Sequence, residues 1–410
     1  MGSTRREFMG LGAVAAAGLL AGCGGDMKSR RPAPAGTERA LSVPIPPPIP
    51  AERYARRRDD LAARMRKEGF DLLLVTPGVS LTYLTGASLR KSDRLIAWVL
   101  EKDGSCRCLG PAFEEERLAC SGLPGDRRNW KETEDPIALL AEILASRGPS
   151  PRIAVDGTLG PDILAPLARR LPAARMAGAT PLLSALRMRK DPEEIALLQA
   201  AIDITLEAIR RVMREAKEGV TEGGILARAV EVAGAFGASL EGTVRFGPGS
   251  AVPHAGAGEA RLRRSDVILF DLVAQVRGYH SDISRTFGFG DFSPRFQQIY
   301  RVLRQAQEEG FRAARPGIPA GRVDEAARSI VQRNGFGRYF THRLGQGVGL
   351  EAREEPYLAG GNLLVMEDGM TVTVGPGIYL PGEFGVRLTD VVLVTATGPK
   401  VLSAPIAPLV

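Results

Sequence analysis

Asp271 and Asp282 are the residues in this 410-residue chain best suited to chemistry as a pair. They open and nearly close the run DLVAQVRGYHSDIS, which reads as two strands joined by a short turn and so sets the two carboxylates opposite each other. Two acids held that close are suited to gripping a cation. Without one they repel, and either one carboxyl keeps a proton or a cationic side chain moves in.

The elements that must position these acids follow from periodicity. Asp191-Pro192-Glu193-Glu194 is a helix start, with a capping aspartate, a proline at the first helical position and acids at the positive end of the dipole. Apolar spacing then runs through Ile195, Leu198, Ile202, Leu206, Ile209 and Met213, and a second helix follows from Thr221. Strands are predicted over 267–274, 280–289, 371–374 and 386–394, with helices over 295–314 and 322–334 between them. Helices alternating with hairpins indicate an α+β domain over residues 188–410. Ahead of it, residues 52–187 alternate a charged helix reaching Lys67, strands at 72–75, 95–100 and 152–155, and a helix over 136–146, which predicts an α/β layer. That first domain carries neither a phosphate loop nor a nucleophile elbow and reads as a packing and oligomerisation domain.

Residues 1–22 have the layout of a twin-arginine lipoprotein signal peptide, Ser3-Thr4-Arg5-Arg6-Glu7-Phe8-Met9 followed by a short apolar run. Leu20-Ala21-Gly22-Cys23 resembles a lipobox, so Cys23 is the expected acylation site and the expected destination is outside the cytoplasm, anchored to a membrane. Residues 23–51 are a proline-rich tether, expected to be extended and unable to bury a core. The net charge of +7 comes with no basic stripe interleaved with aromatics, which excludes nucleic acid as an expected partner. Besides Cys23 there are Cys106, Cys108 and Cys120, an odd number for an oxidising compartment, and one disulfide with one free thiol is the most they allow.

Residues 252–398 resemble the pita-bread family that includes aminopeptidase P, prolidase, methionine aminopeptidase and creatinase. The resemblance rests on Pro253-His254, on Asp271 with GYHSDISRTF from Gly278, on HRLGQGVGLEAREEP from His342, on GMTVTVGPGIYLPGEFG from Gly369 and on GVRLTDVVLV from Gly385. The first domain resembles the N-terminal domain that creatinase, prolidase and aminopeptidase P carry.

The resemblance implies two divalent metals held by Asp, Asp, His, Glu and Glu, which generate a hydroxide that attacks the bond before proline. Position by position, the aspartates are Asp271 and Asp282, whereas Gln346 stands for the histidine, and Gly375 and Thr389 stand for the glutamates. Glycine offers no ligand and glutamine and threonine are weak neutral ones, so no resident metal is expected. Arg353 replaces a histidine that contacts substrate in the family, and is the cation expected to bridge the acids in a bidentate fork. His254 matches the family's proton-handling histidine and reads equally as a hydrogen-bonded loop residue. Arg387 matches a motif arginine, either ligand-binding or a strut; His280 and His342 stand behind the site, and Glu354 and Glu355 keep a packing turn.

Three functional classes follow. The first is a non-catalytic relative that binds a peptide or small ligand. The second is a metal-independent, creatinase-like hydrolase using His254. The third is a Xaa-Pro peptidase that recruits manganese, cobalt or zinc by an atypical route. The first is preferred, and a homodimer is what the resemblance implies.

Overall fold

The computed structural model describes residues 43–252, 256, 258–291 and 293–403. The signal sequence, Cys23, the start of the tether and His254 lie outside the described residues. The end of the tether departs from expectation. Ile49 is buried, Val43 packs against the same core, and Arg277 Nε donates to the Pro46 carbonyl at 3.2 Å. An extended proline-rich backbone leaves its carbonyls free to accept, so this stretch docks wherever it also presents an aliphatic side chain.

The helix Ala51–Glu68 begins directly after Pro50 and is closed by Gly69, whose φ of 77° suits a residue without Cβ. The first domain is a six-stranded sheet in the order Asp126–Trp130, Cys106–Pro111, Ala97–Glu101, Leu72–Val75, Arg152–Val155, Arg175–Gly178, with Ala97–Glu101 antiparallel to both its neighbours. Leu73 and Val75 join Leu61 and Met65 on one face, while Leu72 and Leu74 join Leu140 and Leu144 on the other. A strand buried on both faces reads as an unbroken apolar run, which is why Leu72–Val75 was legible. Asp126–Trp130 was not, because an exposed edge strand carries polar residues.

The thiols of Cys106, Cys108 and Cys120 are all free, so the allowed disulfide is not formed. Cys106 and Cys108 sit two apart on one strand with parallel side-chain directions, and Cys120 ends the separate helix Glu115–Cys120.

In the second domain the helix Pro192–Glu215 starts with a capping box between Asp191 and Glu194 and buries Leu198, Ile202, Leu206 and Ile209. One sheet orders Ile283–Gly288, Val267–Val276 and Ser239–Phe246; another orders Glu354–Leu358, Gly345–Gly347, Thr371–Val374, Asp390–Thr395 and Gly398–Val401. The helices Pro294–Ala313 and Ala320–Arg333 cover the second sheet with Val302, Leu303, Ala306 and Val323. The single strand expected over 386–394 is two: Phe384–Arg387 ends a hairpin with Gly377–Leu380, and Asp390–Thr395 begins the next. At the break, Thr389 N donates to the Ser284 carbonyl at 3.1 Å and Ser284 N returns a bond to Thr389 at 3.3 Å, which joins the two sheets.

Arg57 ties the first helix to the second domain. It is 4% exposed, pairs with Asp191 at 3.1 Å and Glu194 at 3.0 Å, and lies over the Tyr83 ring at 4.2 Å. No helix among the described residues is long and apolar enough to cross a membrane.

Candidate functional site

Asp271 lies mid-strand in Val267–Val276, opposite Ser284 rather than opposite Asp282 as the sequence suggested. Asp282 stands two residues before Ser284, just ahead of Ile283–Gly288, so by the two-residue pleat the acids share a face as diagonal neighbours. The Ser284 hydroxyl donates to Asp271 Oδ1 at 2.8 Å. Arg387 Nη1 donates to Asp271 Oδ2 at 2.7 Å.

The cation on the acids is therefore Arg387, not Arg353. Arg353 is exposed and makes no ion pair or hydrogen bond with either acid. Arg387 ends the hairpin strand Phe384–Arg387 and its side chain reaches Asp271, whereas Arg353 sits in the loop ahead of Glu354–Leu358. Burial alone would lower the pKa of Arg387; Asp271, Tyr379 and Asp282 outweigh it and raise it.

Asp282 is 5% exposed, and burial pushes its carboxyl up to about 6, with Arg387 opposing and Asp271 reinforcing the rise. Gln346 Nε2 donates to Asp282 Oδ2 at 2.8 Å, while Arg343 Nε donates to Gln346 Oε1 at 3.2 Å. The second bond fixes which end of the amide meets the carboxylate. Arg343 lies over the Tyr357 ring at 4.3 Å, so its position is itself held.

Gly375 lies against Thr389. A Cβ on it would stand 2.4 Å from Thr389 Oγ1 and 3.0 Å from Thr389 Cγ2. Thr389 Oγ1 and Arg387 Nε are buried polar atoms with no partner.

These residues do not fit a dinuclear divalent centre. Such a centre needs anionic or imidazole donors directed at a shared point. Here Asp271 is neutralised by Arg387, Asp282 faces an N–H, Gly375 presents no side chain, and Thr389 offers a neutral hydroxyl. Among the described residues no group of three or more His, Cys, Asp or Glu could hold a metal.

The remaining candidates are placed as follows. His254 lies outside the described residues. His280 faces the Gly349 carbonyl through Nδ1 at 3.3 Å and Gln275 through Nε2 at 3.0 Å, away from the acids' hydrogen bonds. His342 Nε2 accepts from the Tyr379 hydroxyl at 3.0 Å, with Nδ1 turned to the Arg343 carbonyl at 2.7 Å. Burial pushes the Tyr379 hydroxyl up to about 12, which keeps it a donor. Glu354 is buried against Lys190 at 2.5 Å and against Arg187; burial would raise its pKa, and the two cations lower it instead. Glu355 accepts from Tyr357 N at 3.1 Å, in keeping with a packing turn. Sequence reasoning missed Ser284, Arg343 and Tyr379, although all three lie inside the motifs that carry the family resemblance.

A cleft of about 390 Å³ opens where the first domain meets the strand Glu354–Leu358, and Arg353 and Tyr357 line it.

The model of metallopeptidase family M24 matches residues 196–396, and that of the creatinase/prolidase N-terminal domain matches residues 57–189. The probable dipeptidase PepE of Mycobacterium tuberculosis is 36% identical over 362 residues, covering 85% of this chain and 94% of the relative. Among solved structures, the dipeptidase PepE from Mycobacterium ulcerans superposes with a TM-score of 0.83 at 35% identity, covering 88% of this chain and 98% of its own. The recombinant prolidase from Thermococcus sibiricus gives a TM-score of 0.81 at 32% identity, with coverage of 86% and 97%.

Proposed function

We propose that this chain, which belongs to metallopeptidase family M24 and has a creatinase-type N-terminal domain before its pita-bread domain, binds a peptide or small ligand without hydrolysing it through paired metals. The observation that carries the reading is the Gln346 amide, which presents an N–H to Asp282 at 2.8 Å and is held in that orientation by Arg343. A metal at this carboxylate would meet a donor hydrogen where the family places a lone pair. Gly375 and Thr389 remove the two anionic donors that could compensate. Similarity to dipeptidases and prolidases over most of the chain supports a peptide-sized ligand. The layout of residues 1–23 supports an exported lipoprotein anchored through Cys23, and the family resemblance supports a homodimer.

The test is elemental analysis of purified protein after loading with manganese, cobalt and zinc, followed by cleavage assays on Xaa-Pro dipeptides. The expected result is substoichiometric metal and no metal-dependent turnover. Two metals per chain with turnover would overturn the proposal in favour of an atypical peptidase. Metal-free turnover abolished by His254→Ala would place the chain with the creatinase-like hydrolases. Palmitate labelling lost in Cys23→Ala tests the anchor.

A further inference from the structure

Arg277 stands in a backbone conformation that suits it poorly. Val276 pairs with Tyr279, so Arg277 and Gly278 form a two-residue hairpin turn, with φ values of 47° and 90°. Such a turn needs positive φ at both central residues, and asparagine followed by glycine is the usual choice. A long side chain is disfavoured in this left-handed region and persists there only where its surroundings hold it. What Arg277 holds is the Pro46 carbonyl, to which its Nε donates at 3.2 Å across 231 positions of sequence.

Residues 43–50 meet that donor in a regular way. Val43, Pro46 and Ile49 are drawn in from solvent, while the other residues of the stretch are exposed. A spacing of three is one turn of a polyproline II helix, and Pro50, at φ −70° and ψ 151°, has that backbone. One side of the extended helix therefore docks, and its unbonded carbonyls remain free to accept. Ile49 is buried in the cluster that holds Met65 of the first domain with Val276 and Tyr279 of the second. The turn beneath Pro46 joins the strand of Asp271 to the short strand Tyr279–His280, two positions before Asp282.

We propose that the Arg277-Gly278 turn belongs to a docking site for a polyproline II helix, which the chain fills with its own residues 43–50, and that this latch steadies the hairpin linking Asp271 to Asp282. The chemistry recognised is an extended segment with apolar side chains three apart and an accepting carbonyl on the middle residue. Proline suits such a ligand because its backbone is already extended and loses little freedom on docking. The helix Ala51–Glu68 follows the latch directly, so the same stretch is covalently joined to the first domain and hydrogen-bonded to the second. That connection keeps the latch at high effective concentration over its site.

Hydrogen exchange of the full chain, read by mass spectrometry, tests the latch in the wild type, Arg277→Asn and Ile49→Ser. The amides to follow are those of His280 and Ser281, which donate to the Gly349 and Ala274 carbonyls at 2.8 Å. Amides of the helix Pro294–Ala313 serve as the reference for global opening. Asparagine suits the left-handed backbone better than arginine, so Arg277→Asn removes the bond to Pro46 without harming the turn. The expected result is exchange about fivefold or more faster at His280 and Ser281 in both variants, with the helix unchanged. A synthetic peptide of residues 42–51 should restore protection in Ile49→Ser and leave the wild type, whose site is already filled, unaltered. Unchanged or slower exchange at those amides in Arg277→Asn would overturn the proposal, since the turn would then be limited by its own strain. Equal acceleration of the reference helix, or no effect of the peptide on Ile49→Ser at millimolar concentration, would overturn it as well. Where Ile49→Ser does not fold, Arg277→Asn decides alone.

Discussion

Gln346 Nε2 donates to Asp282 Oδ2 at 2.8 Å, and Arg343 Nε donates to the opposite end of the same amide at 3.2 Å. Together the two bonds make Gln346 a hydrogen-bonded link of the buried centre. Gln346→Met keeps the volume but leaves a buried carboxyl short of a donor, so urea denaturation should show a loss of about 1–3 kcal/mol. Gln346→Glu sets a second acid against Asp282 and should cost more at neutral pH than at pH 5. An equal loss at both would count against the electrostatic account.

Asp282 gives the fold a pH dependence of known sign. Burial raises its folded-state pKa to about 6, above the ordinary aspartate range, so between those limits the folded chain holds more protons than the unfolded one. Stability should therefore fall as pH rises from about 4 to about 6, by up to roughly 3 kcal/mol, and level off above that window. Asp282→Asn should flatten the slope and be the more stable form at pH 7. A wild type whose stability rises through that interval, with Asp282→Asn unchanged, would refute the assignment.

Thr389 Oγ1 is buried without a hydrogen-bond partner. Thr389→Val is nearly isosteric and removes that hydroxyl, so it should be neutral or stabilising by about 1 kcal/mol in thermal unfolding. Gly375→Ala should destabilise, since its Cβ would fall 2.4 Å from Thr389 Oγ1. The double variant Gly375→Ala with Thr389→Ala should recover most of that loss, and strict additivity of the two would argue that the contact is not the cause.

Arg387 is 14% exposed and neutralises Asp271 at 2.7 Å. Arg387→Met should cost about 3–5 kcal/mol, because it leaves two uncompensated acids on one face. Asp271→Asn in the same chain should restore a substantial part of it, as a double-mutant cycle would read directly. Arg387→Lys should fall between, since an ammonium keeps the charge without the planar fork.

Much of the fold was legible locally. Leu72–Val75 and Arg152–Val155 were read to the residue because a strand buried between layers is a short, largely apolar run, and Thr371–Val374 because alternating threonine and valine favour a strand. The helix Pro192–Glu215 announced both its cap and its buried stripe. Asp126–Trp130 and Gly345–Gly347 escaped, the first because an edge strand is polar, the second because it is short and glycine-rich. The break at Thr389 escaped too, since Val386 and Val391 keep an apolar rhythm across it while the backbone turns to pair with Ser284. The docked end of the tether was hidden behind a composition that signals extension.

By itself the sequence determined which donors exist. Side-chain type is fixed by the chain wherever it goes, so glycine, threonine and glutamine at 375, 389 and 346 bring no anionic donor to the places they occupy. Only the tertiary structure decided how the remaining charges pair. Asp271 and Arg387 are separated by 116 positions and meet because two sheets join at Ser284 and Thr389, while Arg353, the choice suggested by motif position, lies exposed in a loop. Local periodicity sets each strand's inward face, but Coulomb attraction falls with distance and needs an aligned donor, and both depend on how distant strands are brought together.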